Sequence, residues 1–462
     1  GGVTITLTGD MTFGTLTITG GDTFDINGNR MQLSGFFNAG TLQDNASSGG
    51  QIWTAGGFNF TGGNSWTGMS TLSTTDYIVT ASDSHYINAT PFKNVVVNTT
   101  GAPSFQNYAP DAGTSNLILA NGTMTKFGND GSATGTMSVN NITIATGANM
   151  DNASLAPELS CAGDFTTSGG LIGKSALTLD GTSDYMRAGT YDTANNFTGW
   201  SNNNLTVEVW AKSSDSSQAG IMTSFWGGAG TGRHFILYRE ANGSVRAAIN
   251  SDGGSTFIST NGAEAGVSRD WKNAGDGKWH NYAMTYDGAN LKLYIDGQLY
   301  ANRATAVTLA SGDEGIFTIG AYNTSSSDTH SASAGYIGDV GRVSVWNHTL
   351  TDSEIRTMMF YDYATMDADS DFNTPQGDLK GWYQFDEGTG TSIDNLTGVT
   401  NVDGLLVNGA WAGAGTFNAG TSTVVMAKSG SQKIFTAAGE VIYALTVNAG
   451  STTDIECVGS DS

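Results

Sequence analysis

From Leu177 to Trp346 the chain alternates apolar and polar residues in short runs. Examples are Leu-Thr-Val-Glu-Val-Trp at 205–210, Trp-His-Asn-Tyr-Ala-Met-Thr-Tyr at 279–286 and Gly-Arg-Val-Ser-Val-Trp at 341–346. A period of two is that of a half-buried strand, so Leu205, Val207 and Val209 share one face while Thr206, Glu208 and Trp210 share the other. Asp287-Gly288 and Asp296-Gly297 each fall between two such runs, and Asp-Gly supplies the positive backbone angles of a tight hairpin, which predicts antiparallel pairing. One helix is expected. Thr351-Asp-Ser-Glu354 has the spacing of a capping box, with Thr351 as N-cap and Glu354 at N3, opening a short helix toward Met359.

The flanks read differently. Residues 1–171 are rich in Thr, Gly, Asn and Ser, with short strands such as Thr15–Ile18, Asn94–Val97 and Asn141–Ile144 and with turns too frequent for a large sandwich. Gly14-Thr-Leu-Thr-Ile-Thr-Gly20 echoes Asn140-Asn-Ile-Thr-Ile-Ala-Thr-Gly147. A longer echo joins Ser82–Asn98 to Ser431–Asn448 across the central region. Short strands that bury their apolar faces on their neighbours make a β-solenoid, with a string of small sandwiches as the alternative. The expected organisation is a solenoid-like region at 1–171, a jelly-roll sandwich at 172–415 and the repeat resumed at 416–462, in a chain expected to continue. A first strand near Leu177 lying beside a last strand near Trp411 would leave the rod uninterrupted.

Composition supports an all-β protein: 64 Gly among 462 residues and little of the Leu/Ala/Glu/Lys mixture of helical proteins. Asp and Glu number 42 against 19 Lys and Arg, a formal charge of −23 that opposes phosphate backbones and anionic membranes, so nucleic acid is not an expected partner. No stretch approaches the roughly 18 apolar residues of a membrane span. Cys161 and Cys457 cannot define a disulfide framework and read as unpaired buried thiols.

Leu179-Asp-Gly-Thr-Ser-Asp-Tyr185, Trp279-His280, Leu293-Tyr-Ile-Asp-Gly297 and Gly338-Asp-Val-Gly-Arg-Val-Ser-Val-Trp-Asn347, followed by Leu350-Thr-Asp-Ser-Glu-Ile355, resemble the concanavalin-A-like lectin superfamily in its laminin-G-like and pentraxin-like branch. Trp382-Tyr-Gln-Phe-Asp-Glu-Gly-Thr-Gly390, running on to Asn408-Gly-Ala-Trp411, resembles the strand pair that accompanies these modules. The resemblance covers about half the chain and implies a jelly-roll that binds sugar. The Thr/Gly/Asn-rich flanks are similar in composition to bacteriophage virion appendages and bacterial surface adhesins.

Glycosidases exist on this fold, and retaining hydrolysis needs two carboxyl groups about 5 Å apart. Glu208 has no acidic neighbour on its face, so a solvated or core-edge glutamate is the expected reading, with no catalytic residue assigned. His85, His234, His280, His330 and His348 lack zinc-ligand spacing. His280 is expected to pack, as in the family's Trp-His pair. Loops at 180–184 and 323–328 offer oxygen ligands, so Asp180, Asp184, Asn323 and Asp328 are candidates for a calcium ion, with turn-forming acids and amides the commoner reading. The acidic cluster that pentraxin-like proteins carry after their Thr-Ile-Gly strand is Ala321-Tyr322-Asn323 here.

Sugar recognition stacks an aromatic ring on the apolar face of a pyranose while polar neighbours fix the hydroxyls. Trp226, Trp271, Tyr322 and Tyr336, in or beside loops, are the candidate platforms, while Trp210, Trp279 and Trp346 read as core. The expected function is a non-enzymatic virion or cell-surface structural and adhesion protein, with surface glycans or structural proteins of the same assembly as partners. The appendage resemblance also allows a homo-oligomer, a trimer among its forms. The alternative is a polysaccharide-degrading β-helical enzyme or glycoside hydrolase, for which Asp76, Asp83 and Asp164 are the candidate rod carboxylates.

Overall fold

The computed structural model describes residues 2–38, 40–46, 49–56, 72–82, 84–86, 92–106, 115–124, 136–151, 158–172, 174–188, 203–215, 220–226, 234–250, 258–260, 274–309, 316–323, 330–331, 335–372, 375–397, 403–412, 415–418, 423–427, 430–436, 442, 444–448 and 451–457. The chain is all-β and divides into two compact units, residues 1–174 with 413–462, and residues 175–412.

The first unit is a β-solenoid of stacked coils. Its long sheet runs, in order, through Met11–Ile18, Arg30–Asn38, Gln51–Thr54, Asp76–Val79, Asn94–Asn98, Asn116–Met124, Ile142–Ala145 and Phe165–Gly169. It then passes directly to Gly430–Thr436 and Ser451–Cys457. Every pairing along this path is parallel. A second parallel sheet places Glu158–Cys161 beside Thr423–Met426, so the stack resumes in register after the long excursion. Interior side chains such as Met31, Ile52, Tyr77, Val95, Leu117, Ile142, Phe165 and Ile434 follow one another along the axis in one continuous core.

A polar ladder flanks that core. The residue just before the aligned core side chain of successive coils is Arg30, Gln51, Asp76, Asn94, Asn116, Asn141, Asp164 and Lys433. Asn94 Nδ2 donates to Asp76 Oδ1 (2.7 Å), Asn116 Nδ2 to Asn94 Oδ1 (2.9 Å) and Asn141 Nδ2 to Asn116 Oδ1 (3.1 Å). The Asp164 N–H donates to Asn141 Oδ1 (2.8 Å) and the Lys433 N–H to Asp164 Oδ1 (3.0 Å), so the ladder crosses the excursion unbroken. Stacked amides satisfy one another where a buried polar group would otherwise go unpaired.

The two flank echoes fare differently. Met11–Ile18 and Ile142–Ala145 both lie on the long sheet, as the short echo suggests. The long echo is out of phase: Gly430–Thr436 is on the long sheet whereas Ser84–Tyr86, among the described residues, pairs only with Ser104–Gln106, and Asn94–Asn98 is on the long sheet whereas Ala444–Val447 is on the other. Strands of period two look alike, so alternation alone does not show which sheet a strand joins.

The second unit is a sandwich of two eight-stranded antiparallel sheets. The first contains Gln298–Ala304, Asn290–Ile295, Trp279–Asp287, Asn204–Lys212, Ile337–Trp346, Leu177–Asp180 and Ala410–Trp411, with Leu379–Tyr383 on Ile337–Trp346. The second runs Ile258–Ser259, Val245–Asn250, His234–Arg239, Gly220–Trp226, Ile316–Ile319, Tyr185–Ala188, Gly404–Val407 and Ser392–Ile393. Leu205, Val207 and Val209 point into the core between them, as their alternation predicts. Asp296 (φ 51°) and Gly297 (φ 73°) both take the left-handed backbone that their hairpin needs. The unit's ends are paired: Leu177 lies opposite Trp411, and the Ala412 N–H donates to the Ala176 carbonyl at 2.7 Å.

Thr351 caps the helix Asp352–Met358 with both bonds of the capping box. A second helix, Tyr363–Ala368, was not expected; it is short, and its signal is Asp362, whose Oδ1 accepts the Thr365 N–H at 2.7 Å. With Leu350, Phe372 and Trp382, the two helices contribute to a second core that also takes in Trp346, Tyr294 and Ala283 of the first sheet.

Candidate functional site

That outer layer decides the fate of Glu208. Expected as a solvated or core-edge glutamate, it is fully buried. Asn281 Nδ2 donates to Oε1 at 2.6 Å, Ser344 Oγ donates to Oε2 at 3.3 Å, and the Arg342 guanidinium pairs with Oε1. Arg342 Nη1 also donates to the carbonyls of Met358 and Tyr361, both at 2.7 Å, and its guanidinium lies 4.7 Å from the Trp382 ring. Burial pushes the Glu208 carboxyl upward, and the adjacent Arg342 charge opposes that rise. Of these partners Arg342 fastens the sheet to the helical layer, through the Met358 and Tyr361 carbonyls.

His280 is buried, in keeping with a packing role, and it is also ionic. Its Nδ1 lies 2.8 Å from Asp296 Oδ2 and its Nε2 lies 3.1 Å from Asp276 Oδ1. Burial works against its charge, but the two carboxylates outweigh it and hold the imidazole pKa up at about 10. Trp210, Trp279 and Trp346 are core residues, as expected.

The rod carboxylates are structural where they are described. Asp76 is a ladder member whose carboxyl is pushed up to about 6 by burial, against the pull of Lys93 and of the Asn94 and Gln51 hydrogen bonds. Asp164 is also a ladder member, and Asp83 lies outside the described residues. Cys161 is buried and outside any disulfide, its thiol pushed up to about 12 by burial.

The loop 180–184 is held by its own acids. Asp180 Oδ1 accepts the N–H groups of Thr182 (2.8 Å) and Ser183 (3.1 Å), and Asp184 Oδ2 accepts the Asp180 N–H (3.0 Å). The hydrogen bonds from Thr182 and Ser183 lower the Asp180 carboxyl to about 2, whereas burial raises that of Asp184. Asn323 enters a short strand paired with His330–Ser331, its side chain outside the description, as is all of Asp328. Among the described residues no group of three or more His, Cys, Asp or Glu side chains could hold a metal ion. Both carboxylates take part in the hydrogen bonds of this turn.

Of the four aromatic candidates, Tyr336 is corrected: it is fully buried in the sandwich core and offers no ring to a surface ligand. The backbone at Gly335 passes so close to Gly181 that an added Cβ would meet the Gly181 carbonyl oxygen at 2.5 Å, and this approach accompanies the inward turn of Tyr336. Tyr322 is half-buried, and burial pushes its hydroxyl up to about 12. Trp226 ends the strand Gly220–Trp226 with its side chain outside the description, and Trp271 lies outside the described residues.

Sequence reasoning missed the outer face of the second sheet. Tyr185–Ala188 alternates half-buried and buried residues, so Tyr185 and Arg187 point outward while Met186 and Ala188 enter the core. Tyr185 is paired with Val407, and Arg187 with Leu405, which in turn lies opposite Ser392. Leu405 is 40% exposed and is the one exposed large apolar side chain among the described residues of this unit. The signal was available, since Tyr185-Met-Arg-Ala188 and Gly404-Leu-Leu-Val407 alternate, but neither sits in a loop. On the other side of Arg187 the face closes, because Ser224 Oγ and Thr318 Oγ1 both donate to the Ala321 carbonyl, at 3.1 and 2.8 Å.

Residues 180–356 match the family model described as the concanavalin A-like lectin/glucanases superfamily, and the sandwich is a concanavalin-A-like jelly-roll domain. A Bacteroides ovatus protein thought to bind carbohydrate is similar in fold, at 15% identity and a TM-score of 0.34, over 52% of this chain and 59% of its own. The SAP-like pentraxin of Limulus polyphemus is 16% identical at a TM-score of 0.30, over 40% of this chain and 80% of its own. The CBM40 module of a Ruminococcus gnavus sialidase, solved with α2,3 sialyllactose, is 16% identical at a TM-score of 0.27, over 41% of this chain and 98% of its own. No curated protein matches the chain.

Proposed function

We propose that the chain is a non-enzymatic structural and adhesion protein of a virion or cell surface, in which the jelly-roll recognises glycans and the solenoid carries it. The observation that carries this reading is the partly open outer face of a sheet in a lectin-superfamily domain, where Leu405, Tyr185 and Val407 stand beside Arg187. Apolar area with a few polar groups at its margin is what a pyranose needs from a protein surface. The engagement of Glu208 by Arg342, and of Asp76 and Asp164 in the ladder, supports binding rather than hydrolysis. Among the described residues no helix is long and apolar enough to cross a membrane.

The test is a glycan array probed with the full chain. Binding to a defined set of glycans is expected, weakened by Leu405→Asp at unchanged melting temperature. Silence across the array would leave the sandwich with a purely structural role.

A further inference from the structure

We propose that the solenoid stacks end to end with a second copy of this chain, the coil at 3–18 of one copy seating on the coil at 444–457 of the next. Both coils are built as interior ones are, with a strand of a shorter sheet leading through a turn into the long sheet. Thr4–Thr6 leads into Met11–Ile18, and Ala444–Val447 into Ser451–Cys457. Among the described residues these four strands stand at the ends of their sheets.

Cross-strand register shows what those ends leave uncovered. Ile5 lies level with Phe24 and Leu42, and Met11 with Met31 and Ile52, all of them core residues. Leu445 lies level with Val424 and Leu159, and Val447 with Met426 and Cys161, again core residues. Ile5, Met11, Leu445 and Val447 therefore occupy interior rows, yet they are 38–55% exposed. With Val3 they make up the exposed large apolar side chains among the described residues of the solenoid. The core runs out to both ends without the polar outer face that a stacked-repeat array needs in water.

A coil of the same build continues both sheets and both interior rows at once, and a second copy offers one to each end. The solenoid already accepts a coil from chain that does not run on directly from the coil before. Gly430–Thr436 pairs with Phe165–Gly169, and Thr423–Met426 with Glu158–Cys161, in parallel across the excursion. Continuing that parallel pairing requires head-to-tail order, a contact between unlike surfaces that propagates instead of closing. The charge of −23 on each copy opposes approach, so added salt should favour the apolar seam.

The experiment is sedimentation velocity on the full chain over a range of protein and NaCl concentrations. A series of multimers that lengthens with both is expected. Ile5→Asp and Leu445→Asp each spoil one end, and each should weaken self-association roughly tenfold or more. Both side chains are exposed in the single copy, so circular dichroism and melting should match the parent. Mixed, the two variants should form a dimer and nothing longer, because one intact 3–18 coil meets one intact 444–457 coil. Met11→Lys and Val447→Lys repeat the test in the neighbouring rows should either first variant misfold. A parent chain that stays monomeric throughout, association that weakens as salt rises, a variant that associates with itself as the parent does, or a folded mixture that stays monomeric would overturn the proposal.

Discussion

Glu208 and Arg342 show how one residue's neighbours can lie outside the reach of its own strand. Alternation correctly put Glu208 on the face opposite Val207 and Val209, but it could not show that two helices from 150 residues downstream would cover that face. The clue was on the neighbouring strand paired with Asn204–Lys212, where Arg342 stands one position from Val343 and two from Ser344. Breaking a buried ion pair strands the remaining charge, which costs about 3–5 kcal/mol, whereas replacing both partners by apolar groups costs far less. Arg342→Met should therefore destabilise the jelly-roll by about that amount in urea unfolding, and adding Glu208→Leu should recover most of the loss. A single-variant cost below about 1 kcal/mol would mean that the pair does not anchor the helical layer. Tyr336 went the other way: nothing in its local sequence distinguished a loop aromatic from a core one, and the close passage of Gly335 against Gly181 is a tertiary fact.

At the scale of the element, the solenoid strand is one polar residue followed by alternating interior side chains, recurring at separations of 18 to 25 residues. The strands and the solenoid class were legible from alternation and turn density. The phase was not, because Thr and Val alternate equally well on either sheet, and the long echo was matched by composition when the ladder position would have aligned it. Asp76 is the ladder's buried carboxyl, and its raised pKa has a definite sign. With a folded value of about 6 above the ordinary 3.8, its favourable contribution is present below the unfolded pKa and lost as pH rises through the folded one. Asp76→Asn, which gives the ladder another amide beside Asn94, should stabilise the solenoid at pH 7 on the order of 2 kcal/mol and change little near pH 4. Thermal melts of the two proteins at both pH values check this, and equal melting at pH 7 would contradict it.

For the whole molecule, the chain leaves a parallel stack after Phe165–Gly169, builds a two-sheet domain whose own ends pair at Leu177 and Trp411, and rejoins the stack with Ile434 opposite Phe165. Continuity of the ladder from Asp164 to Lys433 makes the solenoid one body despite a separation of 269 positions along the chain. The jelly-roll was legible because its hairpin turns, capping box and Trp-bearing strands are local signals. The open face with Arg187 was not, because it is assembled from strands that alternation alone cannot place side by side. The claim on which the account turns is that recognition resides in the jelly-roll and support in an uninterrupted solenoid. Replacing residues 175–412 by a short Gly/Ser linker and measuring both unfolding and glycan binding tests it most directly. The account predicts a shortened chain that still unfolds cooperatively as a β-protein and binds no glycan that the full chain binds; a shortened chain that keeps that binding, or that cannot fold, would contradict it.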